Sequence, residues 1–315
     1  MPKILISEKI DPVCASILTE GGLTVDVRPN LTAAELLDII GDYEGLVVRG
    51  ATKVTAEVLA KGAKLKVVGR AGAGVDTIDV AAATSHKIVV MNTPGQNANA
   101  VAELALSLML SVARQVVPAC NALKAGRWEK KSSGIEILNK TIGIIGFGAI
   151  GRKLGVMAQA LGMKVLAHDP LLSDEQIQST GAAPATVDKI LTESDFVSLH
   201  LPKIPETVNM INSTTIEKMK PTAILINCAR GGLVDEEALA EALKNGRLAG
   251  AGIDVFAQEP PAADNPLLSL DNVIVTPHLG GSTKESQVNV AVAIANQFVA
   301  YFKDGSLTGA VNMIS

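Results

Sequence analysis

The chain has 315 residues, 48% of them apolar, 19% charged and 3% aromatic, with 28 Gly, 14 Pro and a formal net charge of −4. This length and apolar content describe a globular protein with a large core and room for two ordinary domains, and exclude extended disorder. A slightly acidic chain with few aromatic rings lacks the clustered cations and stacking platforms of a nucleic-acid surface, so no nucleic acid is expected as a partner.

From the N-terminus, short β-branched runs alternate with amphipathic segments: residues 3–7, 23–28, 45–49, 65–69 and 88–92 read as strands with helices between them. Such alternation predicts an α/β unit with a parallel sheet. A long helical pattern then runs from about residue 97 to 123, followed by a polar, basic stretch around Lys130-Lys131-Ser132-Ser133-Gly134. A second alternating series begins at Thr141, with strands expected at 195–201, 223–228, 250–255 and 272–276. Residues 235–244 read as a helix that starts in acidic residues and ends at Asn245-Gly246. The last amphipathic pattern, 284–302, needs an apolar partner and is expected to pack back on the first domain.

The most specific motif lies at the start of the second series. Thr141-Ile142-Gly143-Ile144-Ile145 leads into Gly146-Phe147-Gly148-Ala149-Ile150-Gly151, which opens a helix-like stretch. The first glycine allows the tight turn from strand to helix, the second lets backbone N–H groups approach a pyrophosphate, and the third lets the helix pack closely. The next strand, Lys164-Val165-Leu166-Ala167-His168, ends at Asp169, eighteen residues past Gly151, where a carboxylate can accept both ribose hydroxyls. Pro170-Leu171-Leu172 follow without an Arg for a 2′-phosphate, so NAD is favoured over NADP. Because this fingerprint sits mid-chain, a nucleotide domain over 96–283 is expected to be inserted between the parts of another, 1–95 with 284–315. Both are expected to be doubly wound parallel sheets.

Three ionisable residues follow at expected strand ends beside Gly or Pro turns: Arg230, Glu259 and His278. Ligands of open α/β sheets bind at the carboxyl ends of strands. Oxidation of a 2-hydroxy acid needs a group that takes the hydroxyl proton as hydride leaves, and histidine suits this because it titrates at about pH 6.5. A neighbouring Glu would hold the ring, and an Arg fork would grip the substrate carboxylate and polarise the carbonyl oxygen. Each residue alone also has a structural reading; the three in this order after a nucleotide fold point to acid, orienter and electrophile. His86, His168 and His200 lack such context. No Walker loop, HExxH or GxSxG is present, and no metal is expected.

Cys14, Cys120 and Cys228 are odd in number and have no CxxC spacing, which predicts buried free thiols in a reducing compartment. The opening Met1-Pro2-Lys3-Ile4-Leu5-Ile6-Ser7-Glu8 gains charge too early for a secretory signal, and the apolar stretch 101–113 is broken by Glu103. A cytoplasmic protein without membrane association is expected.

The motifs together resemble the D-isomer-specific 2-hydroxyacid dehydrogenases, and within them the branch that oxidises 3-phospho-D-glycerate to 3-phosphohydroxypyruvate in the first step of L-serine synthesis. The resemblance runs the length of the chain and rests on 49–55, Gly69 to Asp76, Asn92-Thr93-Pro94, 227–232, 254–261, 278–285 and 306–312. It implies a Rossmann NAD-binding domain within a flavodoxin-like substrate domain, with Arg230, Glu259 and His278 as the catalytic set. It further implies NAD contacts from Gly146, Gly148, Ile150, Gly151, Asp169, Thr207, Ala229, Asp254 and Gly280, with Asp254 reaching the nicotinamide carboxamide. Arg49, the Ala71, Gly72, Gly74 and Val75 backbone, Asn97, and Lys130 or Lys131 would meet the substrate. The implied assembly is a homodimer or a higher oligomer, paired through the 97–123 region, with domain closure over the substrate. Ala73, Gly50 and Lys130 stand where relatives commonly have Thr, Ser and Arg, departures that bear on the substrate rather than the reaction. The same chemistry on glyoxylate, hydroxypyruvate or another 2-oxo acid is the alternative, and an NAD-sensing co-repressor-like scaffold a remote one. A serine-sensing regulatory domain found in many relatives is not expected here.

Overall fold

A computed structural model describes residues 1–130 and 133–312, which divide into two compact units: 1–97 with the segment from 281 onward, and 98–280. Asn97 thus falls in the first unit.

In the first unit β1 (Lys3–Ile6), α1 (Val13–Glu20), β2 (Thr24–Val27), α2 (Ala33–Ile39), β3 (Gly45–Val48), α3 (Ala56–Lys61), β4 (Val67–Arg70), α4 (Val80–Ser85) and β5 (Val89–Met91) alternate along the chain. All five strands are parallel, in the order β2-β1-β3-β4-β5, the flavodoxin-like order. The buried strands are continuous apolar runs because helices cover both faces. Capping fixes the helix starts: Thr32, Thr55 and Asp79 each accept a backbone N–H of their own helix.

The second unit opens with α5 (Ala98–Ala113) and α6 (Val116–Lys124), bent by 65°. The single long helix expected over 97–123 is therefore two. Pro118 explains the break, since its ring would meet the carbonyl four residues back in an unbroken helix; the turn falls at Gln115, in the left-handed region at φ 53°. Then follow β6 (Thr141–Ile145), α7 (Ala149–Ala160), β7 (Lys164–His168), α8 (Asp174–Gln178), β8 (Ala183–Pro184), α9 (Val187–Glu193), β9 (Phe196–Leu199), α10 (Ser213–Ile216), β10 (Ile224–Asn227), α11 (Glu236–Lys244), β11 (Gly250–Ile253) and β12 (Val273–Val275). The seven strands lie in the order β12-β11-β10-β9-β6-β7-β8, all parallel. Chain order reverses between β6 and β9, the switch point of a Rossmann sheet. The two-residue β8 carries too little pattern to be read from sequence. The final helix, α12 (Lys284–Asp304), returns to the first unit, where Val290, Ile294 and Phe298 join Ile4, Val47, Val67 and Val89 in one core. This is the packing its amphipathic pattern required.

Among the described residues no single helix is long and apolar enough to cross a membrane. The three cysteines are free; Cys14 and Cys228 are buried as expected, but Cys120 is exposed, because α6 buries only one narrow face.

Candidate active site

The glycine fingerprint forms the turn from β6 to α7. Gly146 has φ 90°, and a Cβ there would lie 2.3 Å from the His200 carbonyl oxygen; a Cβ on Gly151 would lie 2.3 Å from the Gly146 carbonyl oxygen. Both positions therefore demand glycine. Gly148, the N-cap of α7, is different: a Cβ there would meet nothing within 4 Å. Its space is open, so the N–H groups at the start of this twelve-residue helix can approach an anion. Asp169, at the end of β7, accepts the Phe147 N–H at 2.8 Å through Oδ2 and the Leu171 N–H at 3.0 Å through Oδ1. Its carboxylate is thus fixed beside the glycine turn with lone pairs to spare. An open cradle at a helix N-terminus with an adjoining carboxylate is a donor and acceptor set that fits a dinucleotide. Ile150 lies half-buried in the first turn of α7.

Three neighbouring strand ends carry the ionisable residues. After β10 the side chain of Asn227, 1% exposed, accepts the Ala229 N–H at 3.1 Å and donates to the Arg230 carbonyl at 3.0 Å. This clamps the turn that presents Arg230, whose Nη1 donates to the Ala229 carbonyl at 2.7 Å. After β11 Glu259 Oε1 accepts the Phe256 N–H at 3.1 Å, and Oε2 lies 2.7 Å from His278 Nδ1. His278, after β12, has φ 54°, and its N–H is shared between the carbonyls of Asp254 and Thr276. With Nδ1 turned to Glu259, Nε2 is the nitrogen able to take or give a proton, and a side chain 51% exposed leaves it within reach of a reactant.

Asp254 holds that loop from within. It is fully buried; Oδ1 accepts the Thr276 hydroxyl at 2.5 Å and the Leu279 N–H at 2.7 Å, and Oδ2 accepts the Gly280 N–H at 2.9 Å. Neither Asn227 nor Thr276 stood out in the sequence, because side-chain to main-chain clamps have no spacing signature. Thr207 closes its own turn, donating to the Pro202 carbonyl and accepting the Ile204 N–H. His200 is no rival to His278: burial pushes its imidazole down to about 4, and Nε2 lies 2.8 Å from Ser198 Oγ.

In the first unit, Ala71, Gly72, Gly74 and Val75 form the segment after β4. Ala71 is buried, Gly72 accepts the Thr93 N–H, and Arg70 donates from Nη1 to the Gly74 carbonyl at 2.5 Å and from Nε to the Arg49 carbonyl at 2.6 Å. Arg70 is accordingly a brace between two loops. Asn97 Oδ1 is buried and has no hydrogen-bond partner among the described residues. Lys130, in the second unit, is exposed, with Nζ 5.6 Å above the Trp128 ring; Lys131 lies outside the described residues.

A Rossmann sheet with a glycine turn and a His–Glu pair at adjoining strand ends defines a class, and the relatives agree. Residues 106–280 match the NAD-binding domain of the D-isomer specific 2-hydroxyacid dehydrogenases, and the chain belongs to that family. It is 48% identical over 298 residues to the D-3-phosphoglycerate dehydrogenase of Synechocystis, a stretch covering 94% of this chain and 53% of that protein. The chain spans between 53% and 60% of the length of such curated relatives. Among solved structures, the NAD+-bound 3-phosphoglycerate dehydrogenase of Entamoeba histolytica matches at a TM-score of 0.85 and 29% identity over 100% of this chain and 99% of that one. A glyoxylate reductase from Paecilomyes thermophila matches at 0.89 and 29% over 98% of both chains.

Proposed function

We propose that this chain oxidises 3-phospho-D-glycerate to 3-phosphohydroxypyruvate with NAD, the opening step of L-serine synthesis, as a cytoplasmic homodimer. The observation that carries the reaction is the 2.7 Å contact of His278 Nδ1 with Glu259 at a strand end of the Rossmann sheet. The phosphorylated substrate is supported by the similarity to D-3-phosphoglycerate dehydrogenases from several organisms at 44–48% identity.

When bound, NAD supplies a hydride acceptor. Asp169 would accept ribose hydroxyls, and the N-terminus of α7 beside Gly148 would face the pyrophosphate, with Ile150, Thr207, Ala229 and Gly280 as further contacts. Asp254 Oδ2 accepts one N–H here and would meet a carboxamide only once uncovered, since the residue is fully buried. His278 Nε2 takes the hydroxyl proton, and Glu259 stabilises the imidazolium that results. Arg230 holds the substrate carboxylate and polarises the oxygen that becomes the carbonyl. Arg49 and the backbone N–H groups of residues 73–75 would bind the anionic ends, those of Ala71 and Gly72 already donating to the Val48 and Arg70 carbonyls, with Asn97 and Lys130 as further contacts. Pairing would use α5 and α6, the latter with exposed Val116, Val117 and Leu123 as an apolar surface to cover.

The test is NADH formation with 3-phospho-D-glycerate beside D-glycerate, D-lactate and D-2-hydroxyglutarate, with wild type and His278→Ala. Selective turnover of the phosphorylated acid is expected, and His278→Ala should lower kcat by about 10² to 10⁴ while NAD binding persists. Undiminished turnover in the variant would sink the role of His278. Preference for an unphosphorylated acid would favour the second reading, a glyoxylate or hydroxypyruvate reductase, for which the likeness to the Paecilomyes enzyme speaks.

A further inference from the structure

We infer that Glu8 is a positioning residue for substrate binding, whose carboxylate fixes the backbone of the 49–52 loop and so aims Arg49. The inference rests on the reading of Arg49 as a substrate contact.

Glu8 stands just past β1, and the loop just past β3; the two strands are paired, with Ile6 opposite Val47, so these ends are adjacent. Oε1 accepts the N–H of Arg49 at 2.9 Å, Gly50 at 3.0 Å and Thr52 at 2.9 Å, and Oε2 accepts those of Gly50 and Ala51, both at 3.0 Å. Four consecutive N–H groups converging on one anion make the concave arrangement that backbones use to bind phosphates and carboxylates. Here a side chain 41 to 44 residues upstream fills it. From the other side, Arg70 Nε donates to the Arg49 carbonyl and Nη1 to the Gly74 carbonyl, and Ser7 Oγ lies 3.0 Å from Thr52 Oγ1. Both polar backbone groups of Arg49 are thereby engaged, and only its side chain remains to be ordered by a ligand.

Packing alone does not call for this. Gly50, Ala51 and Lys53 are exposed, so a loose loop would leave their N–H groups solvated at little cost. What the carboxylate removes is loop freedom that an incoming ligand would otherwise have to quench. Burial raises the Glu8 carboxyl, but the N–H groups of Ala51, Gly50, Thr52 and Arg49 together outweigh it and hold the group below its ordinary value. The side chain is thus ionised at neutral pH, with four amide dipoles offsetting part of its charge.

The experiment is a double-mutant cycle on the full chain, using the 2-hydroxy acid it oxidises fastest. Glu8→Gln keeps the size but has one acceptor oxygen in place of two. It should raise KM for the acid about tenfold, equivalent to about 1.4 kcal/mol, while kcat and KM for NAD hold within about twofold. Glu8→Asp should recover part of the loss. In an Arg49→Ala background, Glu8→Gln should add nothing further, because its effect runs through Arg49. An unchanged KM in folded Glu8→Gln, or an equal rise in the Arg49→Ala background, overturns the inference and leaves the reading of Arg49 standing. An unchanged KM in Arg49→Ala removes that reading and the inference with it. Should Glu8→Gln not fold, Glu8→Asp carries the same cycle, and strict additivity with Arg49→Ala overturns the inference.

Discussion

One loop in each unit is held by a single carboxylate that accepts main-chain N–H groups, and the two differ in depth. Asp254 is fully buried and holds 276–280 through two N–H groups and a hydroxyl. Glu8 is half-buried and holds 49–52 through four N–H groups. The inner clamp serves a short ring whose Nδ1 must lie within hydrogen-bond reach of Glu259. The outer one serves a long, flexible Arg, for which fixing the main chain suffices. Water can replace a lost acceptor at the surface but not in the core, so the same device should weigh differently on stability in the two places.

The largest effect is expected at the inner clamp. Asp254→Ala strands a hydroxyl and two N–H groups, one of them buried, and should lower the unfolding free energy by roughly 3 kcal/mol or more. A urea midpoint equal to that of wild type would mean the loop is held by something else. Next comes Asn227, a neutral clamp almost as deep. Asn227→Ala should cost about 1–3 kcal/mol and lower turnover through a loosened Arg230; unaltered stability and rate together would break the parallel with Asp254.

The smallest effect concerns acid. The native Glu8 carboxyl lies below its ordinary value of 4.5, so its contribution is complete above that value and is lost as pH falls through the depressed native one. Glu8→Gln should therefore narrow its stability gap to wild type as the pH is lowered from about 6 to about 3. Urea titrations at several pH values would show it, and a gap constant with pH would remove the ionised carboxylate from the account.

Sheet strands other than β8 were legible to within a residue or two because parallel strands covered on both faces read as short apolar runs rich in β-branched residues, as in Gly45–Val48 and Ile224–Asn227. The glycine turn was legible because steric demands at Gly146 and Gly151 restrict the residue type. The break in the helix was missed although its cause, Pro118, was in plain view, since the apolar pattern on either side runs on. Arg230, Glu259 and His278 stand out in the sequence by their place after strands; the contact between Glu259 and His278 is made only because the ends of β11 and β12 lie side by side. Glu8 went unnoticed because its partners are amides, which every residue type but proline supplies.

The sequence by itself determined two parallel α/β units and the nucleotide turn, because periodicity and steric exclusion act locally. Only the tertiary structure decided which carboxylate holds which loop. Asp254 and Leu279 are 25 residues apart and Glu8 and Arg49 are 41 apart, and such pairs meet only because neighbouring parallel strands end at the same edge of a sheet.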